Sequence, residues 1–208
     1  MVPPARYSPA YMSEPIDAIA ALFAGEGMRE YFGEPVSVGV HMLQTAALAE
    51  SSGAPDHLVA AALLHDIGHV RGVQIAHILL SGTTDRHEEV GAGWLSAWFP
   101  AEVIEPVRLH EAARRYLCVV DENYLSSLSR ESACTLRKQG GPMTTREARA
   151  FEQLPYAQAA IAVRRWDEAA KDPTARTPEF DHFRPVLERV LASSACDAEP
   201  GWQRPAQR

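Results

Sequence analysis

The sequence predicts an all-α protein: one bundle of helices with no sheet. Three observations carry this expectation. No segment sustains the period-two alternation of apolar and polar residues that a half-buried strand needs. Helix start and stop signals recur along the chain instead: Ser37 ahead of an apolar run that Gly53 ends, Thr144 with Glu147 three residues on, and Gly140-Gly141-Pro142 after Lys138. Finally, 208 residues, 46% hydrophobic and 23% charged, suffice for one well-buried core.

Taken in order, Ser13 before Glu14 and Pro15 suits the N-cap and first turn of a helix to about Phe23. Gly33 to Val36 reads as a loop, and Ser37 caps a second helix to about Ser52. Pro55-Asp56 opens a third, His57 to Gly68, which is apolar nearly all round and therefore central. Residues 72–84 combine an apolar stretch with a turn-like Ser81-Gly82-Thr83-Thr84 and receive no assignment. Asp85 caps a helix from Arg86 to about Trp98, and Pro100 and Pro106 bracket the start of one running through His110 to Tyr116. Ser129 caps a short helix to Lys138, and Thr144 with Glu147 forms a capping box. Tyr156 to Lys171 is a long helix, and Phe180 to Leu191 closes the fold. There is no internal repeat, so residues 1–208 read as a single domain with a core of about 15–191 and a loose tail over 192–208.

A formal net charge of -7 gives no overall pull toward nucleic acid or an anionic membrane. No apolar run approaches the roughly 18 residues that span a bilayer, and Met1 to Ala10 lacks the basic start and hydrophobic stretch of a secretory signal. Cys118, Cys134 and Cys196 are odd in number and far apart, which suits reduced thiols in a cytoplasm. A cytoplasmic protein without nucleic-acid or membrane partners is expected, and its oligomeric state is left open.

The chemistry lies in histidines and aspartates. His65-Asp66 ends the apolar run Leu58–Leu64, and burying an imidazole beside a carboxylate costs several kcal/mol unless something pairs with them. On a helix the two side chains diverge by about 100°, so one metal is awkwardly shared. Two metals about 3.5–4 Å apart, bridged by Asp66, fit better. Taken singly, His41, His87, His110 and Asp167 are ordinary polar residues. Together with His65 and Asp66 they give four imidazoles and two carboxylates spread over separate helices, the way helical bundles build dinuclear sites. That donor set suits iron, manganese or other divalent metals, and the absence of thiolate argues against structural zinc. His69, one turn past His65, is near enough to touch the same site, whereas His57, His77 and His182 fall outside the pattern.

The order His41, His65-Asp66-Ile67-Gly68-His69, His87, His110, Asp167 resembles the dinuclear branch of the HD-domain superfamily, whose members are mostly phosphohydrolases with a small oxygenase branch. Tyr31-Phe32-Gly33-Glu34-Pro35-Val36-Ser37, Arg86-His87-Glu88-Glu89-Val90-Gly91, Glu105-Pro106-Val107-Arg108-Leu109-His110, Arg114-Arg115-Tyr116-Leu117, Gly140-Gly141-Pro142-Met143 and Arg164-Arg165-Trp166-Asp167 resemble the mixed-valent diiron oxygenases of phosphonate breakdown. The resemblance implies an HD-domain bundle holding two iron ions, Fe(II)/Fe(III), with dioxygen as co-substrate. It implies oxidative cleavage of the C–P bond of 1-hydroxy-2-aminoethylphosphonate or its N-trimethyl analogue, releasing phosphate and glycine or glycine betaine. It implies His41, His65, Asp66, His87, His110 and Asp167 as ligands, and phosphonate contacts from Arg114, Ser132, Arg164 and His69. Tyr31 is implied to occupy the oxygen-side iron until substrate arrives, and Glu34 to assist it and meet the amine. Two readings compete: an HD phosphohydrolase using metal-activated water on the same six ligands, and a non-catalytic HD module.

Overall fold

The computed structural model describes residues 9–31, 34–70 and 86–197. The unassigned 72–84 segment, His77, Asp85, Phe32 and Gly33 lie outside them. Every regular element among the described residues is helical, as the sequence predicts. The α-helices are α1 (Pro9–Ala24), α2 (Val38–Ser51), α3 (Asp56–Leu64), α4 (His87–Leu95), α5 (Ala101–Val120), α6 (Tyr124–Ser127), α7 (Arg130–Lys138), α8 (Thr145–Glu152), α9 (Ala157–Ala169) and α10 (Phe180–Asp197).

The cap signals are realised. Ser37 Oγ accepts from the Val40 N–H, Ser129 Oγ from the Ser132 N–H, and Thr144 with Glu147 closes a full capping box. Gly53, Gly140 and Gly141 carry φ of 74°, 96° and 77°, the left-handed values that end helices without a Cβ penalty.

Several boundaries differ from expectation. α1 begins at Pro9, so Ser13 lies inside it; a proline ring has the φ that a first helical residue needs. α4 begins at His87 with Arg86 as its N-cap, and it stops at Leu95, short of Trp98. α5 runs on to Val120, past Tyr116, because Leu117 is buried on the bundle. α10 continues to Asp197, which removes 192–197 from the expected loose tail: Val190 and Leu191 are buried, and Ser193 and Ser194 bond back to the carbonyls four residues earlier.

The core centres on α3. Val59 through Leu64 are all buried, and the helix packs against α2, α5, α9 and α10. One apolar cluster joins Ile16 and Ile19 of α1 to Phe183, Leu187 and Leu191 of α10 across α3; a second gathers Ala113, Tyr116 and Leu117 of α5 with Phe151 of α8 and Ala160 of α9. His110 lies between the two clusters along α5, and Arg164 and Asp167 occupy the corresponding stretch of α9. Each fully buried Leu of α3 contributes about 2 kcal/mol. That apolar gain is what allows a polar seam to be carried inside the bundle.

The connection leaving α3 is pinned by contact. A Cβ on Gly68 would stand 1.9 Å from the backbone oxygen of His87 and 2.8 Å from the Gly91 nitrogen. Gly68 and Gly91 thus let the 3-10 turn Ile67–His69 lie directly on α4. Gly68→Ala should push the turn off α4, at a cost of at least the roughly 1–3 kcal/mol of an overpacked core. The expected outcome is a thermal midpoint lowered by several degrees together with reduced metal content, because His87 moves away from Asp66; calorimetry and metal analysis read both.

Candidate metal centre

α3 ends at Leu64, not at Gly68, and this decides the geometry. His65 keeps helical angles (φ −58°, ψ −37°), but Asp66 leaves the helix (φ −101°, ψ 10°). The divergence of neighbouring helical side chains therefore does not apply, and both residues turn to one centre. Asp66 Oδ2 lies 3.4 Å from His65 Nε2 and 3.7 Å from His41 Nε2, while Oδ1 lies 3.3 Å from His87 Nε2 and 3.6 Å from His110 Nε2. Asp167 Oδ1 is 3.2 Å from His41 Nε2, and its Oδ2 is 3.8 Å from His65 Nε2. Two three-residue groups result, His41–His65–Asp167 and Asp66–His87–His110, with one Asp66 oxygen toward each.

The imidazoles are fixed from behind. His41, His65 and His110 place Nδ1 at 2.8, 2.8 and 2.7 Å from the carbonyls of Ala170, Ala62 and Val107. A carbonyl only accepts, so each Nδ1 carries a hydrogen and each Nε2 faces inward. Behind His87, the Glu88 carboxylate stands 3.5 Å from Nδ1.

Facing inward, His41 and His65 bring Nε2 to Nε2 at 3.2 Å, and His87 and His110 at 3.1 Å. One proton at most fits between two such nitrogens, so each pair is joined by a shared proton, or by a cation that takes its place. Buried nitrogen and carboxylate donors without thiolate fit redox-capable or hard divalent ions. The residues present fit a metal pair.

Electrostatics agree. Burial alone raises the Asp66 carboxyl, but His65 and His87 more than reverse this and hold it well below the usual carboxylate range. Burial lowers the His65 imidazole, yet Asp66 and Asp167 outweigh it and bring it up to about 9. A cation entering here displaces protons, so metal affinity is coupled to pH.

A cavity of about 140 Å³ opens on the pair, lined by Glu34, His69, Glu111, Arg114, Ser132, Arg164 and Lys171 among others. His69 stacks on His87 at 4.0 Å between ring centroids. Arg114 and Arg164 are each 3% exposed, so neither lies on a solvated face. Arg164 is fully engaged: its Nε donates to the Tyr124 hydroxyl at 2.9 Å, and its terminal nitrogens hold Asp167 and Glu168. Besides lining the cavity where a phosphonate contact is expected of it, Arg164 orients a candidate metal ligand. The Ser132 N–H is not free for an anion either, because the Ser129 hydroxyl caps it at 3.0 Å; the Ser132 hydroxyl meets Lys171 Nζ at 3.0 Å. Glu34 is brought in, held by Lys171 at 3.0 Å and Ser129 at 2.7 Å. Tyr31 is not brought to the pair: it is 64% exposed.

Sequence reasoning missed Glu111, Lys171, Glu168 and Glu88. Glu111 is buried, 3.4 Å from His110 Nε2, and clamped by Arg114. Burial raises its carboxyl, but the neighbouring His110, Arg114 and His87 hold it far below the usual range. The signals were available: Lys171 is one turn past Asp167, and Glu111 is one turn before Arg114.

His65→Ala and Asp66→Ala should keep the helical circular dichroism while losing metal. Both metal equivalents should go in Asp66→Ala, since both groups share that carboxylate. Arg164→Ala leaves Asp167 buried without its counter-charge, a loss of about 3–5 kcal/mol in comparable cases. It should lower metal content on the His41–His65–Asp167 side as well as activity. Elemental analysis showing full metal in either Asp66→Ala or Arg164→Ala would contradict these roles.

Comparison with known proteins agrees with the geometry. Residues 38–152 match the HD domain family. The chain is 42% identical over 177 residues, 85% of its length and 90% of the relative, to a 1-hydroxy-2-(trimethylamino)ethylphosphonate dioxygenase (glycine-betaine-forming) of Leisingera caerulea. It is 38% identical over 169 residues, 80% of its length and 83% of the relative, to a hydroxymethylphosphonate dioxygenase of Gimesia maris. An uncharacterized protein of Acanthamoeba polyphaga mimivirus is 28% identical over 181 residues, 86% of this chain and 83% of that protein. Two three-residue groups on one bridging carboxylate, in a chain this close to two dioxygenases, make this protein a member of the HD-domain family and of its phosphonate oxygenases.

Proposed function

We propose that this protein uses iron and dioxygen to cleave the C–P bond of 1-hydroxy-2-(trimethylamino)ethylphosphonate or its primary-amine analogue, releasing phosphate and glycine betaine or glycine. The supporting observation is the division of Asp66: each carboxylate oxygen faces its own three-residue group, in a chain 42% identical to a dioxygenase of the trimethyl substrate. His41, His65 and Asp167 would hold one ion, and His87 and His110 the other, with Asp66 between them. When bound, an Fe(II)/Fe(III) pair supplies one centre that reduces dioxygen and one that holds the substrate alkoxide.

The chain's own residues bind and orient. Arg114 lines the cavity with a buried Nε that finds no acceptor among the described residues, and so suits a phosphonate oxygen. Ser132 and Lys171 present a hydroxyl and an ammonium on the same wall, and His69 closes the Asp66 side. Glu34 offers a carboxylate for the substrate's cationic nitrogen. Tyr31, three residues earlier, serves the oxygen side only by turning inward from its exposed position. The small cavity favours a substrate of few heavy atoms. Residues 1–208 work as a single domain in this reading, the α1 and α10 helices outside the matched HD segment sharing its core.

The decisive experiment measures phosphate release from both hydroxyphosphonates with the iron-loaded protein, in air and without oxygen. Oxygen-dependent release is expected, with a half-integer-spin EPR signal from the partly reduced, coupled iron pair that changes when substrate is added. Equal release without oxygen, or activity with redox-inert ions alone, replaces the oxygenase with a phosphohydrolase.

A further inference from the structure

Glu111 stands where an anionic substrate group would be expected. It lines the metal cavity, buried to 5% exposure, with Oε1 3.4 Å from His110 Nε2, 4.0 Å from His87 Nε2 and 3.5 Å from an Arg164 nitrogen. Its other oxygen takes the Arg114 guanidinium. One carboxylate therefore holds the inner faces of both cavity arginines and touches the imidazoles of the Asp66–His87–His110 group.

Its position also allows movement. Glu111 and His87 separate the metal cavity from a second one of about 480 Å³, lined by Arg108, Arg115 and Lys138. Arg115 is four residues after Glu111 on α5, the favourable order for a helical ion pair. A rotamer change would take the carboxylate from Arg114 at i+3 toward Arg115 at i+4, whose guanidinium bonds the Gly141 carbonyl and Glu147 at 2.8 and 3.2 Å. Arg114, once released, keeps Gln139 at 2.7 Å, and its buried Nε has no acceptor among the described residues.

We propose that Glu111 is a displaceable counter-charge that occupies the anion position between Arg114 and Arg164 and yields it to the phosphonate, setting how tightly the enzyme holds phosphonate and phosphate. This rests on the proposed function only in taking the substrate group to be a phosphonate. The physical reason is the cost of burying the Arg114 guanidinium without a counter-charge, since Arg164 keeps Asp167 and Glu168 in any case. An internal carboxylate keeps the empty cavity neutralised and also competes with every incoming anion. The product phosphate meets the same competitor, so weak product binding accompanies weak substrate binding.

The test is calorimetric titration of the metal-loaded protein with inorganic phosphate, alongside metal analysis and the thermal midpoint, for wild type, Glu111→Gln and Glu111→Asp. Glu111→Gln keeps the shape and removes the competing charge, so it should bind phosphate at least about tenfold tighter, as expected for losing a like charge at close range. Glu111→Asp keeps the charge and should stay within about threefold of wild type, the scale of a change of roughly 0.65 kcal/mol. Unchanged or weaker phosphate binding in a folded, metal-loaded Glu111→Gln overturns the proposal in favour of a fixed structural ion pair. Loss of one metal equivalent overturns it in favour of Glu111 as a ligand. If Glu111→Gln fails to fold, the Glu111→Asp arm decides: a large gain in phosphate affinity with the charge retained overturns it. None of these readouts requires turnover, so they stand whether or not phosphate release depends on oxygen.

Discussion

Asp66 puts one carboxylate among five imidazoles, and much of the surrounding architecture answers the cost of keeping charge there. An ionised carboxylate leaving water without partners costs many times the roughly 2 kcal/mol that a buried leucine returns. Five ring nitrogens stand within 4 Å of its two oxygens, from His41, His65, His69, His87 and His110. Holding that many imidazoles in place requires α2, α3, α4 and α5 to converge. Convergence in turn requires the turn after α3 to lie on α4 with no side chain between, and only glycine at position 68 allows that approach. The backbone carbonyls of Ala62, Val107 and Ala170 then fix the tautomers, so the ligand atoms are set before any ion arrives.

The parts of this that were legible in the sequence are those governed by local rules. Ser37, Ser129 and the Thr144–Glu147 box act within one helical turn, so residue type and spacing suffice to find them. The six candidate ligands were legible because an imidazole or carboxylate set into an apolar helix needs a partner, and a metal pair is a partner that six such groups can share. The break at His65-Asp66 was not, because the run Leu58–Leu64 continues smoothly into it, and it is tertiary packing of Ile67 and Gly68 against α4 that ends the helix. Glu111 and Lys171 escaped for a different reason: on a helix surface or just past a helix end, either would be an ordinary solvated charge. Arg164 shows the limit of spacing arguments. Three residues before Asp167 does place it beside that carboxylate, but whether its fork serves Asp167 or the substrate depends on Tyr124 and Glu168, which only the fold brings to it.

Charge also narrows how the cavity works. Arg114, Arg164 and Lys171 line it, but so do Glu34, Asp66, Glu111, Glu131 and Asp167. Each of the three cations already has a carboxylate partner: Glu111 for Arg114, Asp167 and Glu168 for Arg164, and Glu34 and Glu168 for Lys171. The protein alone therefore offers little net attraction to a dianion. Metal binding at the His/Asp groups adds positive charge there, so metal loading and anion capture are coupled through electrostatics.

The same balance bears on which chemistry the HD frame performs here. Six ligands of this kind serve hydrolysis as readily as oxidation, since a Lewis acid and a redox centre ask for similar donors. The difference has to come from the groups around the substrate. The cavity on the pair carries both signs of charge, with Arg114, Arg164 and Lys171 beside Glu34 and Glu111. Glu34, anchored by Ser129 and Lys171, adds a carboxylate to a cavity that also holds cations. A zwitterion, anionic at the phosphonate and cationic at the nitrogen, satisfies both ends of such a cavity at once. The arrangement of charge, more than the ligand set, thus separates a small ligand that carries both charges from one that carries only negative charge.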